Sequence, residues 1–208
     1  MQNRILLVGA GGHARACIDV IEQHGQHTII GLLGTPDEVG CTVLGYSVLG
    51  ADDALPAMRR EVENALVTVG QIKTPDPRIR LFDLLNAGEW NLPAIVSPHA
   101  HVSRHASVGA GSIVMHGAII NAAATVGRNC IVNSGALVEH DAVVADHCHI
   151  ATHAAVNSGV HIGAGTFVGS GSSVRQGVTI GARCVIGLGQ RVLTDCAPGS
   201  QIPPRRVA

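Results

Sequence analysis

The chain has 208 residues, of which 46% are hydrophobic, yet Phe, Trp and Tyr together make only 2%. That length holds one large or two small domains, and a core of Val, Ile, Leu and Ala suits a narrow stacked prism better than a globule packed round aromatic rings. A net charge of −1 with thinly spread Lys and Arg points away from nucleic-acid or anionic membrane partners, and no apolar run approaches the roughly 18–20 residues of a membrane span.

The N-terminus opens on ILLVG, a buried strand rather than a signal peptide, so a cytoplasmic protein is expected. A glycine turn and a helix to about Gln23 follow. HTIIGLL reads as a second strand, ALVTVG (Ala65–Gly70) as a third, Asp76–Leu85 as a second helix, and NLPAIV as an extended exit. This βαβ rhythm predicts an α/β subdomain of Rossmann-like type with a small parallel sheet over residues 1–95. VGAGGHARACIDV places Gly9, Gly11 and Gly12 between strand and helix, where backbone N–H groups can approach a phosphate. As a dinucleotide fingerprint the turn departs at Ala14, which replaces the last glycine, so NAD is disfavoured. A tight turn with no ligand is the plainer alternative.

From Val102 to Val192 every sixth residue is Val or Ile, and Val96 extends the series upstream. The residue two places earlier is usually small: Ala106, Ser112, Ala118, Cys130, Ala136, Cys148 and Cys184 are examples. A six-residue period with an apolar β-branched lead predicts a parallel β-helix over residues 96–194. Three hexapeptides per triangular coil give about five coils and a height of roughly 25 Å. Cys130, Cys148 and Cys184 fill the small position and read as buried packing in a reducing compartment rather than disulfides. No CxxC occurs, so no zinc knuckle is expected. Residues 195–208, DCAPGSQIPPRRVA, read as an irregular tail packing back along the prism. The register never slips, so a site must lie on a face or edge and be completed by something outside the subunit. A closed homotrimer is the expected solution.

The least repeat-like stretch is NSGALVEHD, Asn133–Asp141. Glu139, His140 and Asp141 are adjacent there, and the stacked neighbours of His140 are Ala122 and Ser158, so it joins no histidine ladder. Imidazole can remove a proton near neutral pH, and a neighbouring carboxylate can fix its tautomer and raise its basicity. Against this, His140 is one of 12 histidines, several of which merely line the prism.

The hexapeptide array, the EHD triplet and the strand–GAGGHA–helix together resemble the left-handed β-helix sugar-nucleotide acetyltransferases. That group includes the bacterial N-acetyltransferases of UDP- or GDP-linked 4-amino sugars and the sialic acid O-acetyltransferases. The resemblance spans nearly the whole chain. It implies direct acetyl transfer from acetyl-CoA as co-substrate, with His140 as base and Asp141 raising its basicity. It places Asn133 near the site, although a stacked amide ladder would equally explain that residue. It assigns acetyl-CoA contacts to His149, Ser170 and Leu188, and nucleotide-sugar contacts to His13, Ala14, Arg15 and Gly70. A backbone N–H near Ser158 would steady the developing oxyanion.

Two features depart from the family pattern. Leu32 and Leu33 stand where the relatives carry an acidic pair near the base and ribose, with Asp37 and Glu38 as later substitutes if the loop folds back. The family's G-x-P-A-[KR] appears as QIPPRR, leaving Arg205 and Arg206 either to meet CoA phosphates or to form a solvated basic end. Zinc chemistry of the carbonic anhydrases built on the same prism is disfavoured, because no two histidines here stand five apart as that ligand set requires, and no metal is expected. The leading reading is an acetyl-CoA-dependent N-acetyltransferase of a nucleotide-linked amino sugar. O-acetylation of a sialic or related sugar, and a non-catalytic hexapeptide protein, are the alternatives.

Overall fold

A computed structural model describes residues 3–203. Pro204, Arg205 and Arg206 of the tail lie outside the described residues.

Strand β1 (Asn3–Val8) is an interior strand of the N-terminal sheet, and Ile5, Leu6, Leu7 and Val8 are buried on both of its faces. Parallel neighbours β2 (His27–Leu33) and β5 (Asn64–Val67) flank it, which explains the unbroken apolar run. Helix α1 (Gly12–His24) buries Ala14, Cys17, Ile18 and Ile21, the i, i+3, i+4, i+7 stripe of an amphipathic helix. Gly25 in the left-handed conformation (φ 70°) ends it. Helix α2 (Leu55–Met58) is a single turn, and α3 (Asp76–Ala87) runs slightly longer than the pattern predicts.

The sheet is not purely parallel. Strands β3 (Thr42–Val43) and β4 (Tyr46–Gly50) form an antiparallel hairpin, and β4 extends the sheet beside β2 in the order β3-β4-β2-β1-β5. The hairpin turns on Leu44 and Gly45, both at positive φ (47° and 87°), a conformation that Asn-Gly usually announces. With leucine in that place, the turn is hard to read from sequence.

Beyond the sheet the chain winds into a triangular prism of two-residue rungs, the architecture of a left-handed parallel β-helix. The first face carries Ile95–Val96, Ile113–Val114, Ile131–Val132, His149–Ile150, Phe167–Val168 and Val185–Ile186. The second runs from His101–Val102 through Leu137–Val138 to Arg191–Val192, and the third from Ser107–Val108 through Val143–Val144 to Thr179–Ile180. Each rung pairs in parallel with the one a coil away, as Ile119 with Leu137 and Leu137 with Ala155. The period-six Val and Ile side chains fill the interior, and Val138, Ile150, Val156 and Ile186 are wholly buried. Val96, Val102 and Val108 are only partly buried, since they belong to the first coil and nothing stacks above them.

The small position does more than save space. Ser112, Thr166 and Ser172 donate their hydroxyls to the carbonyls of Gly127, Gly181 and Gly187 in the next coil, at 2.7, 2.8 and 2.7 Å. Cys130, Cys148 and Cys184 repeat the bond with sulfur, each at 3.2 Å. All six cysteines are free thiols. Close stacking also explains glycines with ordinary φ: a Cβ on Gly163 would stand 2.4 Å from the Ala182 nitrogen. Gly163→Ala is expected to cost about 1–3 kcal/mol through overpacking, read as a lower urea midpoint.

The tail does not run back along the prism as expected. Gln201–Ile202 pairs in parallel with Val185–Ile186 and continues the first face by one more rung. Two halves of the chain share one core here: Ile5, Leu7 and the buried stripe of α1 pack with Ile113, Met115 and Ile131 of the first face.

Candidate active site

The three faces meet at three edges, and the predicted site residues divide between two of them. Glu139, His140 and Asp141 turn the chain from the second face to the third. Beyond the first coil most edge turns carry one residue at positive φ, and glycine supplies it at Gly117, Gly135, Gly159 and Gly177 among others. Asp141 takes that seat at φ 61° instead, a conformation L-residues other than Gly enter at a cost. Its carboxylate thereby meets the ring beside it: Asp141 Oδ2 accepts from His140 Nδ1 at 2.7 Å. This hydrogen bond is the main cause that raises the His140 pKa above its ordinary value; desolvation opposes it, and the Asp141 and Glu139 charges add to it. With the proton on Nδ1, Nε2 presents its lone pair, which accepts the Ser158 hydroxyl at 2.9 Å. The stacking of Ser158 on His140 follows the register expected from sequence. Gly159 N–H already donates to the His140 carbonyl, so that amide is not free to serve as an oxyanion donor. Glu139 Oε2 accepts from the His140 backbone N–H at 3.2 Å and from Asn121 Nδ2 at 2.9 Å, not from the imidazole ring. Asp141→Gly is expected to leave the urea midpoint unchanged or raise it, because glycine enters this conformation freely, while the rate of any reaction that uses His140 as a base falls about ten-fold or more with the loss of the ring's orienting carboxylate.

His149 lies on the first face, where the N-terminal domain covers it to 7% exposure. Its Nδ1 donates to the Gln71 carbonyl at 2.6 Å, and its Nε2 accepts from Asn133 Nδ2 at 3.1 Å. Asn133 is itself oriented, since its Oδ1 accepts the Ser134 N–H at 2.8 Å. Burial pushes the His149 pKa down to about 4, so the ring is neutral at physiological pH. Asn133 therefore belongs to no amide ladder; its coil neighbours are Met115 and Ala151. His13 stands 6.5 Å from His149 between ring centroids, pushed to about 3 by burial first and by the Arg78 charge second. Gly70 backs onto His13, where an added Cβ would meet its Cβ at 3.4 Å. Ala14 is buried in the α1 core, which leaves only its backbone for a ligand, whereas Arg15 is exposed. Ser170 and Leu188 follow down the edge between the first and second faces, joined by the Gly189 N–H to the Ser170 carbonyl at 2.9 Å, with Leu188 64% exposed.

The structure thus brings together His13, Gly70, Asn133 and His149, with Ser170 and Leu188 along the same edge. It does not bring Asn133 to His140 and Asp141 within one chain: the whole second face separates them.

A cavity of about 1020 Å³ opens at the carboxyl ends of β1, β2, β4 and β5, with Gly9, Gly11, Gly34, Glu38, Asp52 and Arg80 in its wall. This is where open α/β sheets bind ligands. Leu32 is packed inside the sheet, so the cavity meets Leu33, Gly34 and Thr35 instead. Glu38 does fold back, accepting the Thr35 N–H and hydroxyl at 2.8 and 2.9 Å, while Asp37 is not in the wall. Sequence reading missed Asp52 and Arg80, an ion pair at 2.8 Å. The Asp52-Asp53 doublet was a usable signal, but the unrecognised strand β4 that delivers it hid its place.

A second hydrogen-bonded chain, Ser97 to His116 (2.6 Å) to Asp19 (2.9 Å), has the composition of a hydrolytic triad. Ser97 is only 2% exposed, so it meets no substrate and serves to strap α1 to the prism. Among the described residues no three His, Cys, Asp or Glu side chains are grouped to hold a metal ion, and no helix is long and apolar enough to cross a membrane.

The family model described as the PglD N-terminal domain matches residues 4–82. No curated protein matches the chain in sequence. A solved structure of a perosamine N-acetyltransferase variant from Caulobacter crescentus, in complex with CoA and GDP-perosamine, is 31% identical, with 98% of this chain and 96% of that chain covered at a TM-score of 0.91. The acetyltransferase domain of PglB from Neisseria gonorrhoeae, in complex with acetyl coenzyme A, is 26% identical over 98% of this chain and 97% of its own, with a TM-score of 0.89. WeeI from Acinetobacter baumannii shares the fold at 20% identity and a TM-score of 0.74, over 98% of this chain and 99% of that one. The prism, the α/β subdomain fused to it and this likeness over almost the full length of both chains show that the protein belongs to the hexapeptide-repeat sugar acetyltransferases and is an acetyltransferase.

Proposed function

We propose that the protein transfers the acetyl group of acetyl-CoA to the amine of a nucleotide-linked amino sugar, with His140 as general base. The observation that carries this reading is the pairing of His140 Nδ1 with Asp141, which leaves Nε2 as a proton acceptor on an exposed edge. The sugar nitrogen attacks the thioester carbonyl, the N–C bond forms, and the amine proton passes to Nε2 in place of its bond to Ser158. The C–S bond then breaks, and the imidazolium returns the proton to the departing CoA thiolate. No acyl-enzyme is required.

The nucleotide diphosphate is assigned to the amino end of α1 at His13, Ala14 and Arg15, where the helix dipole and the exposed Arg15 side chain favour an anion. Its base and ribose take the cavity walled by Glu38, Asp52 and Arg80. Acetyl-CoA takes the edge marked by Asn133, His149, Ser170 and Leu188. The Caulobacter relative is in complex with CoA and GDP-perosamine, which supports the two classes of ligand. A site that uses His140 together with this edge draws on two subunits, and a homotrimer repeats that junction three times.

A thiol-release assay with acetyl-CoA tests the reading across GDP-, UDP- and dTDP-linked 4-amino sugars. Release that depends on one of these amines is expected. Absence of release with all of them would overturn the substrate class.

A further inference from the structure

We propose that Arg78 is a positioning residue, which holds the segment Val67–Gln71 in the one conformation that joins the sugar-nucleotide turn to His149. The proposal rests on the site assignment above. Arg78, in the first turn of α3, is 0% exposed and lies where the two halves of the chain meet. Among the described residues no carboxylate bonds to it. Its Nη1 donates to the carbonyls of Val67 and Val69, both at 2.8 Å, and its Nε to the carbonyl of Asn129 on the prism at 3.3 Å. Asn129 Nδ2 returns a bond to the Arg78 carbonyl at 3.3 Å.

A buried cation without a counter-ion is costly, and well-packed apolar residues commonly replace buried charges with no loss of stability. What an apolar side chain cannot do is fix two carbonyls of one strand end and a third across the junction with a single planar fork. The segment so fixed has an exacting task. Gly70 must lie against His13, and Gln71 must turn its carbonyl to His149 Nδ1 while its side chain donates to the Gly165 carbonyl at 3.3 Å. Around this junction His13 Nε2, Gln71 Oε1, Arg78 Nη2 and Asn129 Oδ1 are buried without partners, polar capacity beyond what packing alone would retain. The guanidinium charge also adds to burial in keeping both His13 and His149 uncharged.

The test compares Arg78→Lys and Arg78→Met with the unaltered protein, in far-UV circular dichroism, acetyl-transfer kinetics and long-range 15N spectra of the histidines. In folded Arg78→Lys, which keeps the charge but not the fork, the KM for the nucleotide sugar is expected to rise about ten-fold or more, and His149 to lose its single Nδ1–H tautomer. Arg78→Met should show the same changes more strongly. A folded variant with unchanged KM and unchanged tautomer would overturn the proposal, as would failure of both variants to fold, which would make Arg78 a folding residue only. The spectra need no substrate, so they decide the matter even if the proposed acetyl transfer itself is not observed.

Discussion

His140→Ala is expected to lower kcat by about 10²–10⁴-fold, the usual contribution of a positioned general base, with little change in either KM. Fold and stability should be unaffected, because the His140 side chain is 57% exposed and supports no core. Thiol release at the unaltered rate would remove His140 as the base. The same group sets the pH dependence. Only the neutral imidazole accepts a proton, so the rate should rise with pH through the folded-state pKa, which Asp141 holds above the ordinary imidazole value. Asp141→Asn removes the main cause of that elevation. Its acid limb should therefore move to lower pH, while the plateau falls because the ring is no longer held in the Nδ1–H tautomer. An acid limb that stays in place would show that Asp141 does not govern His140.

Two inactive variants are expected to rescue one another. His140→Ala loses the base on one edge; Ser170→Glu with Leu188→Glu sets negative charge against CoA phosphates on the other edge, where Leu188 is 64% exposed. If each site takes His140 from one subunit and the acetyl-CoA edge from its neighbour, random mixing at equal amounts should restore about one quarter of the sites. The gain is at least an order of magnitude over either variant alone. No gain on co-expression would place both groups of one site in the same chain, against the separation that the second face imposes.

The prism was legible because its rule is local and periodic. One side chain in six decides the interior, and the fixed register also tells that Ser158 stacks on His140. The His140–Asp141 pair was readable for the same reason: it lies in a single turn. What could not be read depends on docking between distant segments. His149 meets the Gln71 carbonyl across 78 positions of sequence, and Arg78 meets Asn129 across 51. Neither motif nor periodicity encodes such contacts. Likewise Asp52 becomes a cavity residue only through β4, whose turn at Leu44 hides behind an atypical residue, and Arg80 on α3 reaches the cavity wall only by docking against it.

The stacking of rung on rung has a consequence for how the molecule is made. Within the prism each coil touches only the coils above and below, as Leu137 touches Ile119 and Ala155, so the prism behaves as a one-dimensional chain of cooperative units held from outside by the N-terminal domain. Growth from a nucleus proceeds one coil at a time, and the ends are its weakest links. The amino end is only partly roofed, at Val102 and Val108, whereas Ile131 and Ile113 are clasped by α1. Amide exchange should therefore be slowest around the clasped coils and quicken toward both ends, with the N-terminal domain acting as the seed from which the remaining coils zip downward.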